Sequence, residues 1–234
     1  MSESGRTPAT SGSPDLVSMA RFLGSTRAEG PGERTAVWVQ GCAIRCTGCF
    51  NPHLWSVRGG EPVAPAELVT RVLDAGTDGL TLLGGEPFDQ AAALSRVASG
   101  VRAAGRSVMT FTGYRTDELH RAAEAGRDDV AALLGETDLL VAGPFLADRI
   151  DRVRPWVGST NQEFVLLTDR MADSLAGLAS TPDRLEIVVG ASGRVAVNGW
   201  AAPDVLDELL ADLGTRLPTG SSASACRPHA DGSE

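Results

Sequence analysis

The chain has no lysine; all 21 of its basic side chains are arginine, set against 30 carboxylates for a formal charge of -9. That balance excludes a nucleic-acid binder, which neutralises phosphates with clustered positive charge. Tyrosine occurs once and aromatics make up only 5% of the 234 residues. Ala, Gly, Val and Leu fill the apolar share of 42% instead, enough for a buried core. No apolar run approaches the roughly 18 residues of a membrane span, so no membrane association is expected. The first fifteen residues, MSESGRTPATSGSPD, are polar and hold no hydrophobic signal core. A cytoplasmic protein is expected, and with it reduced thiols. Cysteine is scarce, and three of the four stand close together.

The length predicts one domain. Residues 1–15 and 218–234 read as disordered tails, because they are rich in Ser, Gly and Pro and poor in apolar side chains. Between them, 16–217 alternates strand and helix signals. Apolar runs predict strands at 35–41, 79–85, 107–113, 137–143 and 162–168. Apolar residues at helical spacing predict helices at 64–76, 87–105, 116–126 and 203–214, and 184–200 reads as a β-hairpin turning at GASG. Strand–helix alternation predicts an α/β fold, a partial (β/α) barrel of mostly parallel strands with outer helices, followed by the C-terminal hairpin and helix. In such folds the loops after the strands share one rim, and that rim carries the chemistry.

The loop after the first predicted strand reads GCAIRCTGCFNPHLW, with Cys42, Cys46 and Cys49 spaced C-x3-C-x2-C. Two metal readings stand. His53 extends the series to a Cys3His set suited to tetrahedral zinc. Alternatively the three thiolates hold three irons of a [4Fe-4S] cube and leave the fourth iron open to a ligand. Gly41 and Gly48 allow backbone to wrap closely round such a group. The fourth thiol, Cys226, falls in the polar tail and reads as a spare; His120 reads as helix surface, and His229 lies in the same tail as Cys226.

Cys42, Cys46 and Cys49, followed by Phe50 and, after the next strand, by Gly84-Gly85-Glu86-Pro87, resemble the signature of the radical S-adenosylmethionine (SAM) superfamily. The ordered segments GCAIRCTGCFNPHLW, TLLGGEPFDQ, VMTFTGYRTDEL, DLLVAGPF and GSTNQ are similar to the anaerobic ribonucleotide reductase activating enzymes, a branch of the glycyl-radical activases. The likeness runs from about residue 17 to residue 168, and 180–214 reads as an extension of the radical SAM domain.

That resemblance implies a [4Fe-4S] cluster on Cys42, Cys46 and Cys49 whose open iron chelates SAM. It implies cofactor contacts from Gly48, Phe50, Gly84, Gly85 and Glu86, with Phe50 against the adenine. Thr110 and Thr112, on one face of a strand end, read either as donors to the cofactor or as core threonines. Tyr114 and Arg115 would line the mouth. Asn161 and Gln162 match the family but precede a strand, which would put them on the opposite rim if that strand is parallel. Arg149, Arg152 and Arg154 read as a solvated basic run or a partner contact. Where the activases tend to carry D-G-K, this chain has Ala142-Gly143-Pro144.

The implied activity is that of a radical SAM oxidoreductase. It cleaves SAM reductively to a 5′-deoxyadenosyl radical and takes a hydrogen atom from a glycine of a glycyl-radical enzyme such as anaerobic ribonucleotide reductase. The implied partners are that enzyme and an electron donor such as flavodoxin or ferredoxin. The change at 142–144 and the extension keep two other functions open: modification of a small molecule or peptide, and a zinc-stabilised, non-enzymatic binding module.

Overall fold

A computed structural model describes residues 5–10, 13–177, 185–189, 195–199, 208 and 211. Residues 1–200 form one compact unit. In the second unit, 201–234, Glu208 and Ala211 are described and both are helical. The remainder of the predicted 203–214 helix, and Cys226 and His229, lie outside the described residues.

The unit is built on a seven-stranded sheet of order β3-β1-β2-β4-β5-β6-β7. Its centre is parallel: β2 (Arg34–Val39), β4 (Gly79–Gly84), β5 (Ser107–Thr112) and β6 (Leu139–Ala142). These are the apolar runs expected of strands covered on both faces. The parallel centre is as expected, and both flanks are antiparallel. On one side β1 (Val17–Thr26) pairs with β2 and with β3 (Glu61–Val63); on the other, β7 (Glu163–Leu166) turns back along β6. The sheet stays open, with β3 and β7 as its edge strands. Within 184–200, β8 (Leu185–Val189) and β9 (Val195–Gly199) pair antiparallel, and the residues between them lie outside the described set.

Helices α1 (Pro65–Asp74), α2 (Ala91–Ala103), α3 (Thr116–Glu124) and α4 (Asp128–Gly135) pack on one face of the sheet. Pro65 stands at the first helical position of α1, where its missing N–H is not needed. Asp117 with Glu118, and Asp128 with Asp129, place negative charge on the first turns of α3 and α4. Val37, Val39, Leu80, Leu82, Val108 and Leu140 meet Leu68, Leu94, Val97, Leu119 and Leu133 in the main core. Each such side chain, fully buried, contributes about 1.5–3 kcal/mol. The other face is covered differently. Trp38, Leu83 and Leu54 pack together at the β2–β4 end, and Met109, Leu139, Val141, Val157 and Met171 pack at the β5–β6 end. A short helix, α5 (Ala172–Ala176), closes the described part of that covering segment.

Arg34, at the start of β2, is 1% exposed, yet each nitrogen of its guanidinium has a hydrogen-bond partner. Its guanidinium donates to Thr81 Oγ1 (2.7 Å), Leu80 O (2.6 Å), Ser107 Oγ (3.0 Å) and Ser107 O (3.2 Å). Burial pulls its pKa down to about 10, against the opposing pull of Asp138 and Asp78. It cross-links β2, β4 and β5 at the end of the sheet away from the cysteines.

Candidate functional site

The cysteine loop leaves the C-terminal end of β2. Its path is pinned by Gly41 N donating to Leu54 O (2.8 Å) and Cys42 N to Trp55 O (3.2 Å). All three sulfurs are half-buried. Each faces main-chain donors: Ile44 and Arg45 amides toward Cys42, the Phe145 amide toward Cys46, and Asn51 N toward Cys49 Sγ at 3.4 Å. N–H groups aimed at sulfur stabilise thiolates and tune a metal centre bound to them. Burial, the largest cause, pushes the Cys42 thiol up to about 11 and raises that of Cys46 as well. Burial outweighs the opposing pull of the amides and of Arg6, so these groups hold their protons, and a bound metal is what would convert them to thiolates.

Among the described residues, no three His, Cys, Asp or Glu side chains gather as a single metal ion requires. The Cys3His set with His53 is therefore not assembled; His53 lines a separate pocket of about 450 Å³ with Arg21, Trp38, Gln40 and Asn51. A four-iron cube asks for something else, with each thiolate on its own iron. Three soft ligands on one loop, each supplied with amide donors, fit that group.

The Gly84-Gly85-Glu86 segment adjoins this loop for a backbone reason. Gly85 N donates to Val39 O and Glu86 N to Gly41 O, both at 2.8 Å. A Cβ on Gly85 would lie 2.1 Å from Gly41 O, and one on Gly84, at φ +107°, 2.7 Å from Trp38 Cα. The collision that demands glycine here is thus with the backbone of β2 and of the cysteine loop that leaves it. Gly48 (φ +78°) is similarly confined, its Cβ position 3.0 Å from Ala147 Cβ.

Glu86 is 1% exposed and accepts from Phe88 N, Thr112 Oγ1 and Gly113 N, each at 2.9 Å. It therefore starts the turn at 87–90 and joins the loops after β4 and β5. Burial first, and then the charge of Asp89, push its pKa up from the carboxylate range. Asp89, 2% exposed, joins three further segments. Its Oδ2 accepts from Ala43 N (2.8 Å), and its Oδ1 from Tyr114 OH (2.9 Å) and Ala9 N (3.1 Å).

Several expected roles change. Thr110 and Thr112 share the helix-facing side of β5 with Val108, because side chains alternate along a strand. Thr110 is paired with Thr137 Oγ1 at 2.9 Å and Thr112 donates to Glu86, so both are committed core hydroxyls. Tyr114 does not line the mouth; it is 1% exposed, held by Asp89, with its pKa raised by burial. Arg115 is engaged by Asp117 (2.9 Å) at the start of α3. Asn161 does reach the site rim. Because β7 is antiparallel, with Ala142 opposite Glu163, the residues before it lie beside the end of β6. Asn161 Nδ2 donates to Pro144 O (2.8 Å) while its buried Oδ1 has no partner among the described residues. Gln162 Nε2 donates to Gly143 O (3.1 Å). Arg154 is committed to Asp151 (2.6 Å) and to the Gln162 and Thr160 carbonyls.

Sequence reasoning missed Asp89 and Phe145. Phe50 is 54% exposed, and its ring stacks on Phe145 with centroids 4.8 Å apart and planes tilted 52°. The pair forms an open apolar face beside the sulfurs. Phe145 could have been flagged as an aromatic directly following a strand-end glycine and proline. Asp89 carried only one signal, its place three residues after Glu86.

The 4Fe-4S single cluster domain family matches residues 28–165. The chain is 32% identical over 142 residues to the anaerobic ribonucleoside-triphosphate reductase-activating protein of Escherichia coli K12, covering 57% of this chain and 88% of that one. The protein of the same description from Vibrio cholerae is 32% identical over 143 residues, 57% of this chain and 87% of that one. The pyruvate formate-lyase-activating enzyme of Clostridium pasteurianum is 41% identical over 64 residues, 25% of this chain and 27% of that one.

Proposed function

We propose a function from one premise: the chain belongs to the 4Fe-4S single cluster domain family and to the family of the anaerobic ribonucleoside-triphosphate reductase-activating proteins. It is a radical SAM enzyme of the activating type, with a [4Fe-4S] cluster and SAM as cofactors. In our reading it activates a glycyl-radical enzyme, an anaerobic ribonucleotide reductase, and takes its electron from a flavodoxin or ferredoxin. The observation that carries this is the cysteine loop, where three half-buried sulfurs each meet main-chain donors and no fourth protein ligand joins them among the described residues.

Cys42, Cys46 and Cys49 would hold the cluster. Bound together, cluster and SAM supply one-electron cleavage of the cofactor and a carbon radical able to take a hydrogen atom from a glycine Cα. The protein's share is placement and exclusion of water. The amides of Ile44, Arg45, Asn51 and Phe145 stabilise the thiolates. Gly84 and Gly85 let the next loop press against the cysteine loop, and Glu86 and Asp89 lock both to β5. The open Phe50–Phe145 face suits the flat adenine. Asn161 Oδ1, lacking a donor, suits an N–H or O–H of the cofactor.

The test is iron, sulfide and zinc content of anaerobically purified chain, with a paramagnetic resonance spectrum of the reduced protein with and without SAM. About four irons and four sulfides per chain, and a signal that shifts with SAM, are expected. Zinc without iron after anaerobic reconstitution would sink the reading. A glycyl radical on the reductase after mixing is the decisive product. Ala142-Gly143-Pro144, in place of the D-G-K pattern, favours a second reading, a small-molecule or peptide target. Hydrogen transfer from such a compound, with none from the reductase, would select it.

A further inference from the structure

Residues 5–10 were expected to belong to a disordered tail, yet they lie along the rim beside the cysteine loop. The contacts that hold them are made to their main chain. Arg6 N donates to Glu118 Oε1 (2.7 Å); Ala9 N donates to Asp89 Oδ1 (3.1 Å) and to Tyr114 OH (3.2 Å). The Arg127 guanidinium donates to the Pro8 carbonyl. Pro8 is buried, whereas the side chains of Arg6, Thr7 and Thr10 are exposed. Gly5 passes so close to Arg121 that a Cβ would lie 2.2 Å from its guanidinium. The groove formed by Asp89, Tyr114, Glu118 and Arg127 thus reads the N–H and C=O groups of a peptide and, apart from the buried Pro8 and the close approach at Gly5, demands little of its side chains.

The groove opens onto the proposed site. Asp89 holds Ala9 with one carboxylate oxygen and Ala43, next to Cys42, with the other. The charge of Arg6 is felt at Cys46.

We propose that this groove is the docking track for an extended, glycine-bearing segment of the partner enzyme, and that residues 5–10 occupy it as an internal pseudosubstrate. The inference rests on the activating function proposed above. Any extended chain offers the same main-chain pattern, so the partner's segment can replace the resident one bond for bond. A tethered segment competes at an effective concentration of order millimolar. The partner's apparent affinity then falls in proportion to the fraction of molecules whose groove is open.

The test uses three anaerobically loaded forms: the full chain, a chain beginning at Ser13, and the full chain with Pro8→Asp. The probe is a fluorescent peptide of residues 2–12, read by anisotropy. It should bind the shortened chain, and the Pro8→Asp chain similarly, at least about tenfold more tightly than the full chain. Arg127→Ala in the shortened chain should weaken it. An unlabelled peptide carrying the radical-bearing glycine segment of an anaerobic ribonucleotide reductase should displace the probe. Absence of binding to the shortened chain, equal binding to all three forms, or failure of the glycine peptide to compete would overturn the proposal. The two readings fail separately. A chain with iron and a SAM-sensitive signal but no peptide binding overturns the groove alone, and an iron-free chain that binds the peptide overturns the activating function alone.

Discussion

The two ends of β2 make opposite use of polar chemistry. At its start, Arg34 is shut away from water and every nitrogen of its guanidinium is engaged by Thr81, Leu80 or Ser107. Just past its end, Cys42 and its two companions are half-buried, and the thiols of Cys42 and Cys46 are held protonated by burial. One end completes itself within the protein. The other is finished only by something that brings positive charge. Six residues of strand are enough to separate the part that holds the fold from the part that receives a ligand.

Substitutions should separate the two ends. The largest effect expected is from Cys46→Ser, which should take iron from about four per chain to near none and abolish SAM cleavage. Iron assay checks this, and a thermal melt of the metal-free chain should move little. Arg34→Ala should do the reverse. It leaves the Leu80 and Ser107 carbonyls and two hydroxyls without their donor, each a loss of about 1–3 kcal/mol. A fall in melting temperature of roughly 10 °C follows for a chain of this size, while iron bound per folded chain stays constant. An unchanged melt would break the comparison.

Gly85→Ala tests where the two functions meet. Its Cβ would strike Gly41 O, and relief by backbone shift typically costs about 1–3 kcal/mol. Both the melt and the rate of iron loss to a chelator should worsen, unlike in either of the preceding variants.

The smallest effect is one of pH. Burial and Asp89 raise the folded pKa of Glu86 above the ordinary carboxylate value of about 4.3. The folded state therefore binds the extra proton, and the resulting stability is complete below that ordinary value and fades as pH climbs toward the raised one. Urea titrations of metal-free wild type and Glu86→Gln at pH 5 and pH 8 should show the wild type losing more stability across that interval. Parallel behaviour of the two would count against a proton on Glu86.

Much of this architecture is legible along the chain, for identifiable reasons. β2, β4, β5 and β6 are buried on both faces, and continuous apolar runs announce that. β1 was missed because VSMARFLGST is only half-buried and its polar residues blur the pattern. β7 was found but its direction was not, since an apolar run carries no polarity; the antiparallel return brings Asn161 to the site rim. The cysteines and the Gly84-Gly85 pair were legible because their requirement is local. Thr110 and Thr112 stayed open between two readings because strand parity shows that they share a face but not which face. Asp89 was illegible, since Ala9, Ala43 and Tyr114 are brought to it only by the completed fold.

The return of β7 has a consequence for how such proteins diversify. A parallel neighbour would need a crossover helix spanning the sheet. Here the chain between Gly143 and Gln162 leaves and re-enters on the same side, tied at its base by the Asn161 and Gln162 amides. It can lengthen, shorten or be exchanged between homologues without disturbing a single rung of the sheet. Beyond Phe145, whose amide serves Cys46, the stretch carrying the arginines at 149, 152 and 154 is thus a replaceable cassette on a fixed chassis, where selection can alter the choice of target while leaving the cysteine loop intact.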